Sequence, residues 1–284
     1  LLGKGIITYL GARIESNYIV FLPERFKADN VDSFRLDQSI QDGIEFPKVD
    51  AKQVTIEWAP YNDSMYIESN VDNGEPFYMF DKGEHTLDGK LILTPEGLLG
   101  RGTFDWEEGT LKSNAEGDFV FGKFSVRSAS TEAIIKSKGD EQAFAFQNDK
   151  VEAVVDFEKR YGDFISIEKD LSTDLPYNSY RTSLDRFHWE MDEKKIIIES
   201  SQGKAGFFLA TEKEQDSLYF QGERADYDLN TGLLRIDGVE YILVADAMIF
   251  PKNQHVEITK RAEMSTLEDS RIVADTSNQN HQIV

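Results

Sequence analysis

The lack of helical periodicity along nearly the whole chain is the feature that most constrains its fold. Short runs rich in Ile, Val, Phe, Tyr and Thr alternate with polar residues and end at Gly, Asn, Asp or Pro. This period of two is typical of half-buried strands, in which successive side chains point to opposite faces. The most helix-like window, SASTEAIIKSKGDEQAFAF from Ser128, contains Gly139 and has no apolar stripe at helical spacing. The sequence therefore predicts an all-β fold with few or no helices.

Several of these runs are joined by segments with turn chemistry, which predicts hairpins. Pro presets φ, and Gly and Asn tolerate positive φ. Turns are expected at Pro95–Gly97, before Gly162, at Asp192–Lys195, at Asn230–Gly232 and at Pro251–Asn253. Consecutive antiparallel hairpins without a strict period indicate a tandem array, stacked as an open β-solenoid or β-jellyroll.

Residues 168–186 are polar and contain Pro176, so we expect a linker or an inserted loop there. The expected organisation is a β-rich segment with hairpin repeats over residues 1–170 and a β-repeat segment over residues 187–284. The chain begins LLGKGIITYL without an initiator Met and ends NQNHQIV. We therefore expect both segments to be part of a longer chain, whose neighbouring segments would be their first partners.

Composition excludes several function classes. The chain has 52 acidic and 31 basic residues and a net charge of -21, which repels phosphate backbones, so no nucleic-acid partner is expected. The absence of cysteine excludes disulfides, thiolate zinc sites and cysteine nucleophiles, and it suits an exported protein. The most apolar run, YILVADAMIF, is short and carries Asp246, so no transmembrane helix is expected.

The run FHWEMD contains the first of two candidate polar sites. Alternation in a strand would place Phe187, Trp189 and Met191 on one face and His188, Glu190 and Asp192 on the other. Neighbours on one face lie about 6.5–7 Å apart, which is too far for one metal ion unless the side chains lean together. The simpler interpretation is a strand with a buried apolar face and a solvated polar face.

The run TFDWEEG contains the second candidate, with Asp105 and Glu107 on the face opposite Phe104 and Trp106. A pair of carboxylates suits glycoside hydrolysis, although adjacent carboxylates on an exposed strand are the simpler interpretation. Nothing matches a phosphate-binding loop, a dinucleotide fingerprint, a zinc-protease helix or a nucleophile elbow. NVDNGEP, from Asn70, fits a polar turn better than a calcium loop. Accordingly, no catalytic residue, metal or cofactor is predicted, and an enzyme is disfavoured.

Two stretches near the end of the chain carry a family resemblance. The run RADYDLNTGLLRIDGVEYILVADAMIFP, followed by VEITKRAEM and SRIVAD, resembles the repeats of the OstA-like (lipopolysaccharide-transport A-type) β-jellyroll. With LDGKLILTPEGLLGRGTFDWEEGTLKS and EFPKVDAKQVTIEWAPYNDSMYI, the chain also resembles a segment of the very large envelope proteins of Bacteroidota. The first resemblance implies stacked strands around an open apolar trough that carries lipid acyl chains. Both imply a location in the cell envelope, periplasmic or exported.

Strand phase in the same region predicts a set of inward-facing apolar residues. The candidate inner face consists of Leu243, Ala245, Ala247, Ile249, Val256, Ile258, Ile272 and Ala274. Asp246 and Asp275 would then lie on the opposite, polar face. The alternative to a trough is a closed core filled by side chains, which needs no ligand.

Three functions remain open at this point. The first is a non-enzymatic repeat-built structural or binding segment of a large envelope protein. The second is an OstA-like periplasmic lipid conduit, and the third is a carbohydrate-active or carbohydrate-binding β-domain. The ligand classes that these functions imply are lipid and glycan.

Overall fold

The protein is all-β in the part of the chain that the computed structural model describes. That part comprises residues 1–70, 75–81, 83–113, 118–137, 144–215, 218–274 and 281–283. Its strands are joined by turns and by three-residue 3₁₀ turns, without any α-helix among the described residues. The prediction of an all-β fold is therefore confirmed. By internal contacts the chain forms two compact units, Leu1–Thr131 with Ala153–Lys159, and Glu132–Glu152 with Arg160–Val284.

The first unit contains fourteen complete strands, and two long strands contribute to both units. The strands of the first unit are β1 (Leu2–Tyr9), β2 (Ala12–Phe21), β3 (Phe26–Ala28), β4 (Ser33–Leu36), β5 (Ser39–Gln41), β6 (Ile44–Phe46), β7 (Val49–Ala51), β8 (Thr55–Ala59), β9 (Ser64–Glu68), β10 (Phe77–Met79), β11 (His85–Thr94), β12 (Gly97–Trp106), β13 (Gly109–Ser113) and β14 (Phe119–Phe121). The shared strands are β15 (Ser125–Lys136) and β16 (Phe144–Asp156).

The remaining strands belong to the second unit. They are β17 (Tyr161–Ser166), β18 (Thr173–Leu175), β19 (Tyr180–Thr182), β20 (Arg186–Glu190), β21 (Lys195–Glu199), β22 (Gly206–Ala210), β23 (Tyr219–Gly222), β24 (Arg224–Asp228), β25 (Leu233–Asp237), β26 (Ile242–Val244), β27 (Ala247–Phe250), β28 (His255–Ile258), β29 (Arg271–Ala274) and β30 (His281–Ile283). Residues 168–186, where a linker was expected, contain the paired strands β18 and β19. The two compact units divide the chain after residues 131, 152 and 159 instead.

Strand pairing in the first unit closes on itself. The strands β2, β3, β8, β9, β11, β10, β7 and β4 pair in that order, and β4 pairs again with β2. Closure is possible because β2 and β11 are long: each pairs along one edge with two short strands, one at either end. In this unit the expectation of an open array is corrected to a ring of eight strands.

A pair of glycines marks the point where β11 changes partner. Gly89 faces Gly102 in β12, and both have positive φ, 153° and 133°. A Cβ on Gly89 would collide with the carbonyl oxygen of Arg101, so only glycine fits. Before this point β11 pairs with β10, and after it β11 pairs with β9. The glycine pair thus marks the point at which β11 exchanges β10 for β9 as its neighbour in the ring.

In the second unit, hairpins alternate between two ladders of strands. Ladder A pairs β18, β19, β22, β23, β26, β27, β29 and β30 in that order. Ladder B pairs β17, β20, β21, β24, β25 and β28 in that order. The hairpin β20–β21 therefore belongs to ladder B, and the next, β22–β23, belongs to ladder A. This unit has the tandem antiparallel hairpins that the sequence predicts.

The predicted turns have mixed outcomes. The turns at Pro95–Gly97, Asp192–Lys195 and Asn230–Gly232 each join two paired strands and are confirmed. The prediction of a hairpin at Pro251–Asn253 is wrong, because β27 pairs within ladder A whereas β28 pairs with β25 of ladder B. The segment contains a 3₁₀ turn and carries the chain from one ladder to the other.

The facing sides of the two ladders are packed together. The rings of Phe208 and Phe220 in ladder A stack with centroids 5.8 Å apart. The backbone of Gly222 in ladder A lies so close to Ile236 in ladder B that an added Cβ would be 2.5 Å from the Ile236 Cγ2 atom. Phe208, Phe220 and Ile236 are among the buried apolar residues between the two ladders.

Candidate functional site

The candidate inner face is only partly directed inward. Val256 and Ile258 in β28 are fully buried, as expected for residues that face the interior. Leu243 is 40% exposed, whereas its neighbour Ile242 is 1% exposed, so strand β26 has the opposite phase from the one predicted. The reason is local, because Ala245 and Asp246 form the turn between β26 and β27, with Ala245 at a φ of 52°. The prediction for Leu243 and Ala245 is therefore wrong.

The other predicted inner-face residues lie in less regular strands. Ala247 and Ile249 are half-buried in β27, in which all four residues are half-buried. Ile272 and Ala274 are also half-buried, and Val273 between them is the buried residue of β29. Asp246 lies in the hairpin turn rather than on a strand face, and Asp275 lies outside the described residues. LVADAMI thus contains the β26–β27 hairpin, whereas RIVA forms the single strand β29.

The interior of the second unit is filled. Ile196 and Ile198 in β21, Tyr227 in β24, and Leu234 and Ile236 in β25 are all 0% exposed. A side chain with no surface accessible to water does not line a water-sized void, so these residues contact other side chains instead. The arrangement has the properties of a closed core.

The residues of FHWEMD show the predicted alternation, but the polar residues do not form a site. Phe187, Trp189 and Met191 are at most 1% exposed. His188 forms a cross-strand pair with Asp163, with 2.7 Å between Nδ1 and Oδ1, and Asp192 accepts a hydrogen bond from Arg160 at 3.1 Å. His188, on β20, and Asp192, in the turn after it, therefore engage separate partners, and Glu190 pairs in register with Lys195.

The second carboxylate pair also lacks a shared cleft. Asp105 accepts a hydrogen bond from the Thr110 hydroxyl across the β12–β13 hairpin at 2.5 Å. Glu107 lies in the exposed turn of that hairpin. Among the residues that the structure describes, no group of three His, Asp or Glu side chains could hold a metal ion. No helix in the same residues is long and apolar enough to cross a membrane.

Two buried tyrosines lie in the interior of the second unit. Burial raises the pKa of Tyr180 to about 12, and burial, followed by the nearby Tyr177 and Asp228, raises the pKa of Tyr227 further. Neither hydroxyl has a hydrogen-bond partner among the described residues. A phenol in this environment stays protonated at neutral pH, so it is not poised for acid–base chemistry.

The most distinctive surface of the second unit is an exposed apolar patch on the outer side of ladder A. We call it the aromatic face and define it by Phe207, Tyr219, Gln221, Tyr241, Leu243 and Phe250. Four of these side chains are large and strongly exposed: Phe207 (41%), Tyr219 (53%), Tyr241 (41%) and Leu243 (40%). Large contiguous exposed apolar patches often mark binding surfaces.

Strand register explains how the aromatic face forms. Phe207 pairs with Gln221, and because Phe220 pairs with Ile242, Gln221 lies beside Tyr241 on the next strand. The rings of Phe207 and Tyr219 are 6.4 Å apart, and those of Tyr241 and Phe250 are 6.1 Å apart. The guanidinium of Arg271 stacks on Phe250 at 4.1 Å and ends the row.

A shallow depression lies within the aromatic face. Its volume is about 250 Å³, and Glu240 joins Phe207, Tyr219, Gln221, Tyr241 and Leu243 in its lining. No single run of the sequence indicates this face, because its residues come from separate hairpins. The available signal was the outward phase of Phe207 and Tyr219 in the adjacent runs GFFLA and SLYFQG.

A second depression, of about 500 Å³, lies on the outer side of the first unit. Tyr66 lies in it and is 44% exposed. Ion pairs of Lys27 with Glu57 at 2.6 Å and of Lys90 with Glu68 at 3.1 Å surround it. Because its charged groups already pair with one another, this depression has fewer groups available to bind a ligand than the aromatic face has.

The chain was compared with family models, with curated proteins and with solved structures, and no match was found. The resemblance to OstA-like repeats and to Bacteroidota envelope proteins therefore stays a hypothesis.

Proposed function

We propose that this chain is a non-enzymatic, repeat-built structural or binding segment of a large bacterial cell-envelope protein, periplasmic or exported. The observation that carries the proposal is the filled interior of the second unit, where Gly222 and Ile236 pack in direct contact. A filled core gives a rigid β-structure whose function depends on its outer surfaces and on neighbouring segments.

Three further observations support this role. The residues of the two candidate polar sites are dispersed, since His188 pairs with Asp163 while Asp105 accepts a hydrogen bond from Thr110. The hairpins of the second unit alternate between two ladders, and this supports an OstA-like jellyroll as the finer description of that unit. The absence of cysteine suits the oxidising conditions outside the cytoplasm.

A lipid conduit is the less favoured alternative. It would need an apolar inner surface accessible to acyl chains, whereas side chains such as Leu234 and Ile236 have no accessible surface. The net charge of -21 also repels anionic headgroups.

The test is to purify the chain without detergent and to analyse it by native mass spectrometry and by lipid extraction. We expect the mass of the polypeptide alone, with no lipid in stoichiometric amount. A phospholipid or lipopolysaccharide bound at one copy per chain would overturn the proposal in favour of a conduit.

Cell fractionation of the source bacterium, with an antibody against this chain, should place the protein in the envelope fraction. A cytoplasmic location would contradict the envelope role.

A further inference from the structure

We infer that the aromatic face of ladder A binds an uncharged, extended glycan chain. The inference rests on the proposed non-enzymatic role, because the glycan is held and left intact. It adds to that role a specific surface and a chemical class of ligand.

The spacing of the strands beneath the rings suits a linear sugar polymer. Phe207 in β22 and Tyr241, which directly precedes β26, lie on either side of Gln221 in β23. Two strand spacings correspond to about 9.5 Å, which is close to the disaccharide repeat of an extended β-linked chain. Alternate sugars could then lie over Phe207 and Tyr241 and place their apolar C–H faces on the rings.

The polar groups of the face suit hydroxyl ligands. Gln221 lies between the two rings, and its amide can both donate to and accept from a sugar hydroxyl. Glu240 lines the same depression and supplies an acceptor. The hydroxyls of Tyr219 and Tyr241 add two groups of mixed donor and acceptor character. Aromatic surface with a few convergent polar groups is the usual composition of a small-molecule site.

Charge argues against other occupants. The net charge of -21 opposes nucleic acids and anionic membranes. An uncharged sugar chain avoids the electrostatic penalty and is long and narrow, as is the row of residues on this face.

The test uses cellohexaose and chitohexaose as probes, with the purified chain and isothermal titration calorimetry. We expect one of these hexasaccharides to bind more tightly than its disaccharide, because only the longer chain spans both rings. Tyr241→Ala should weaken binding about five- to tenfold, since one aromatic contact is lost. Tyr241→Phe keeps the ring and should stay within about twofold of the unaltered chain.

The matched control is Tyr18→Ala in the first unit. Tyr18 is 54% exposed and Tyr219 is 53% exposed, so the two truncations remove similar surfaces. We expect Tyr219→Ala to weaken binding and Tyr18→Ala to leave it unchanged, with unaltered circular dichroism spectra in both variants.

Several outcomes would overturn the inference: no binding of either hexasaccharide at millimolar concentration, equal losses in Tyr18→Ala and Tyr219→Ala, or binding to phosphatidylcholine vesicles in place of the sugars. The first two would leave the structural role intact. Shortening of the hexasaccharide during incubation would instead contradict the non-enzymatic role itself, so the two failures can be told apart.

Discussion

Asn178 donates its side-chain amide to the carbonyl oxygen of Gly232, 54 positions further along the chain, at a distance of 2.9 Å. The same nitrogen lies 3.2 Å from the carbonyl oxygen of Ile258 and 3.1 Å from that of Thr259. Asn178 ends a 3₁₀ turn between β18 and β19 in ladder A, whereas its acceptors lie at the end of ladder B. One buried amide therefore connects the two ladders at this end of the unit.

Replacing Asn178 should destabilise the protein. Asn178→Ala would leave buried carbonyl groups without a donor, and we expect the free energy of unfolding to fall by about 2–4 kcal/mol. Asn178→Asp should lower the free energy of unfolding by a similar amount, because an ionised carboxylate cannot donate a hydrogen bond. Urea denaturation followed by tryptophan fluorescence measures both.

The control is Asn62→Ala, since Asn62 ends an equivalent Pro-Tyr-Asn 3₁₀ turn in the first unit but is exposed. It should change the free energy of unfolding by less than about 0.5 kcal/mol. Equal effects at the two positions would show that the carbonyl contacts of Asn178 contribute little.

Local features of the fold could be predicted from the sequence, and long-range ones could not. The alternation of Phe187, His188 and Trp189 gave the correct strand phase, because side-chain direction in a strand depends only on period. The contacts of Asn178 depend on how distant hairpins pack, and nothing near Pro176 in the sequence indicates them. The closure of the first unit likewise depends on Gly89 and Gly102 meeting across a hairpin.

The error at Leu243 has a different physical origin. LVADAMI alternates as a continuous strand would, but Ala245 adopts a positive φ and the chain reverses there. Alanine rarely has this conformation, so the turn chemistry that marks Asn230–Gly232 is missing. The same error placed Leu243, a residue of the aromatic face, on the inner side of its strand.

Adjacent residues of β20 should respond very differently to truncation. Trp189→Ala would empty a buried site, and we expect a loss of about 3–5 kcal/mol in the free energy of unfolding. His188→Ala removes a partly exposed pair with Asp163 and a ring contact with Tyr161, which should together cost less than about 1 kcal/mol. Chemical denaturation of both variants compares the two faces of one strand. A loss at His188 as large as that at Trp189 would point to a structural or functional role that the open sheet face does not explain.

The buried tyrosines predict a loss of stability at high pH. Because burial raises the pKa of Tyr180 to about 12, the unfolded chain loses this proton more readily than the folded one. Stability is therefore full below about pH 10 and falls as the pH rises toward the folded pKa of about 12. Tyr180→Phe and Tyr227→Phe should reduce this loss of stability, which thermal melts measure between about pH 10 and about pH 12.

At pH 7 both variants should be as stable as the unaltered chain or more stable, because each removes a buried hydroxyl that lacks a partner among the described residues. Tyr18→Phe, at an exposed site, is the control variant for these melts.

Gly222 tests directly whether the interior of the second unit is filled. At a site with free space and ordinary φ, Gly→Ala would stabilise the fold by about 0.4–1 kcal/mol, because it restricts the unfolded chain. Here the new methyl group would lie 2.5 Å from Ile236 Cγ2, and we expect Gly222→Ala to lower the free energy of unfolding by about 1–3 kcal/mol instead.

Ile236→Ala alone should lower it by about 2–5 kcal/mol. In the double variant the methyl group occupies part of the vacated volume, so the combined cost should be below the sum by about 1 kcal/mol or more. Urea titrations of the four proteins complete the cycle. A stabilising Gly222→Ala would mean that the ladders are separated by open space, and it would restore the lipid conduit as the better description of this protein.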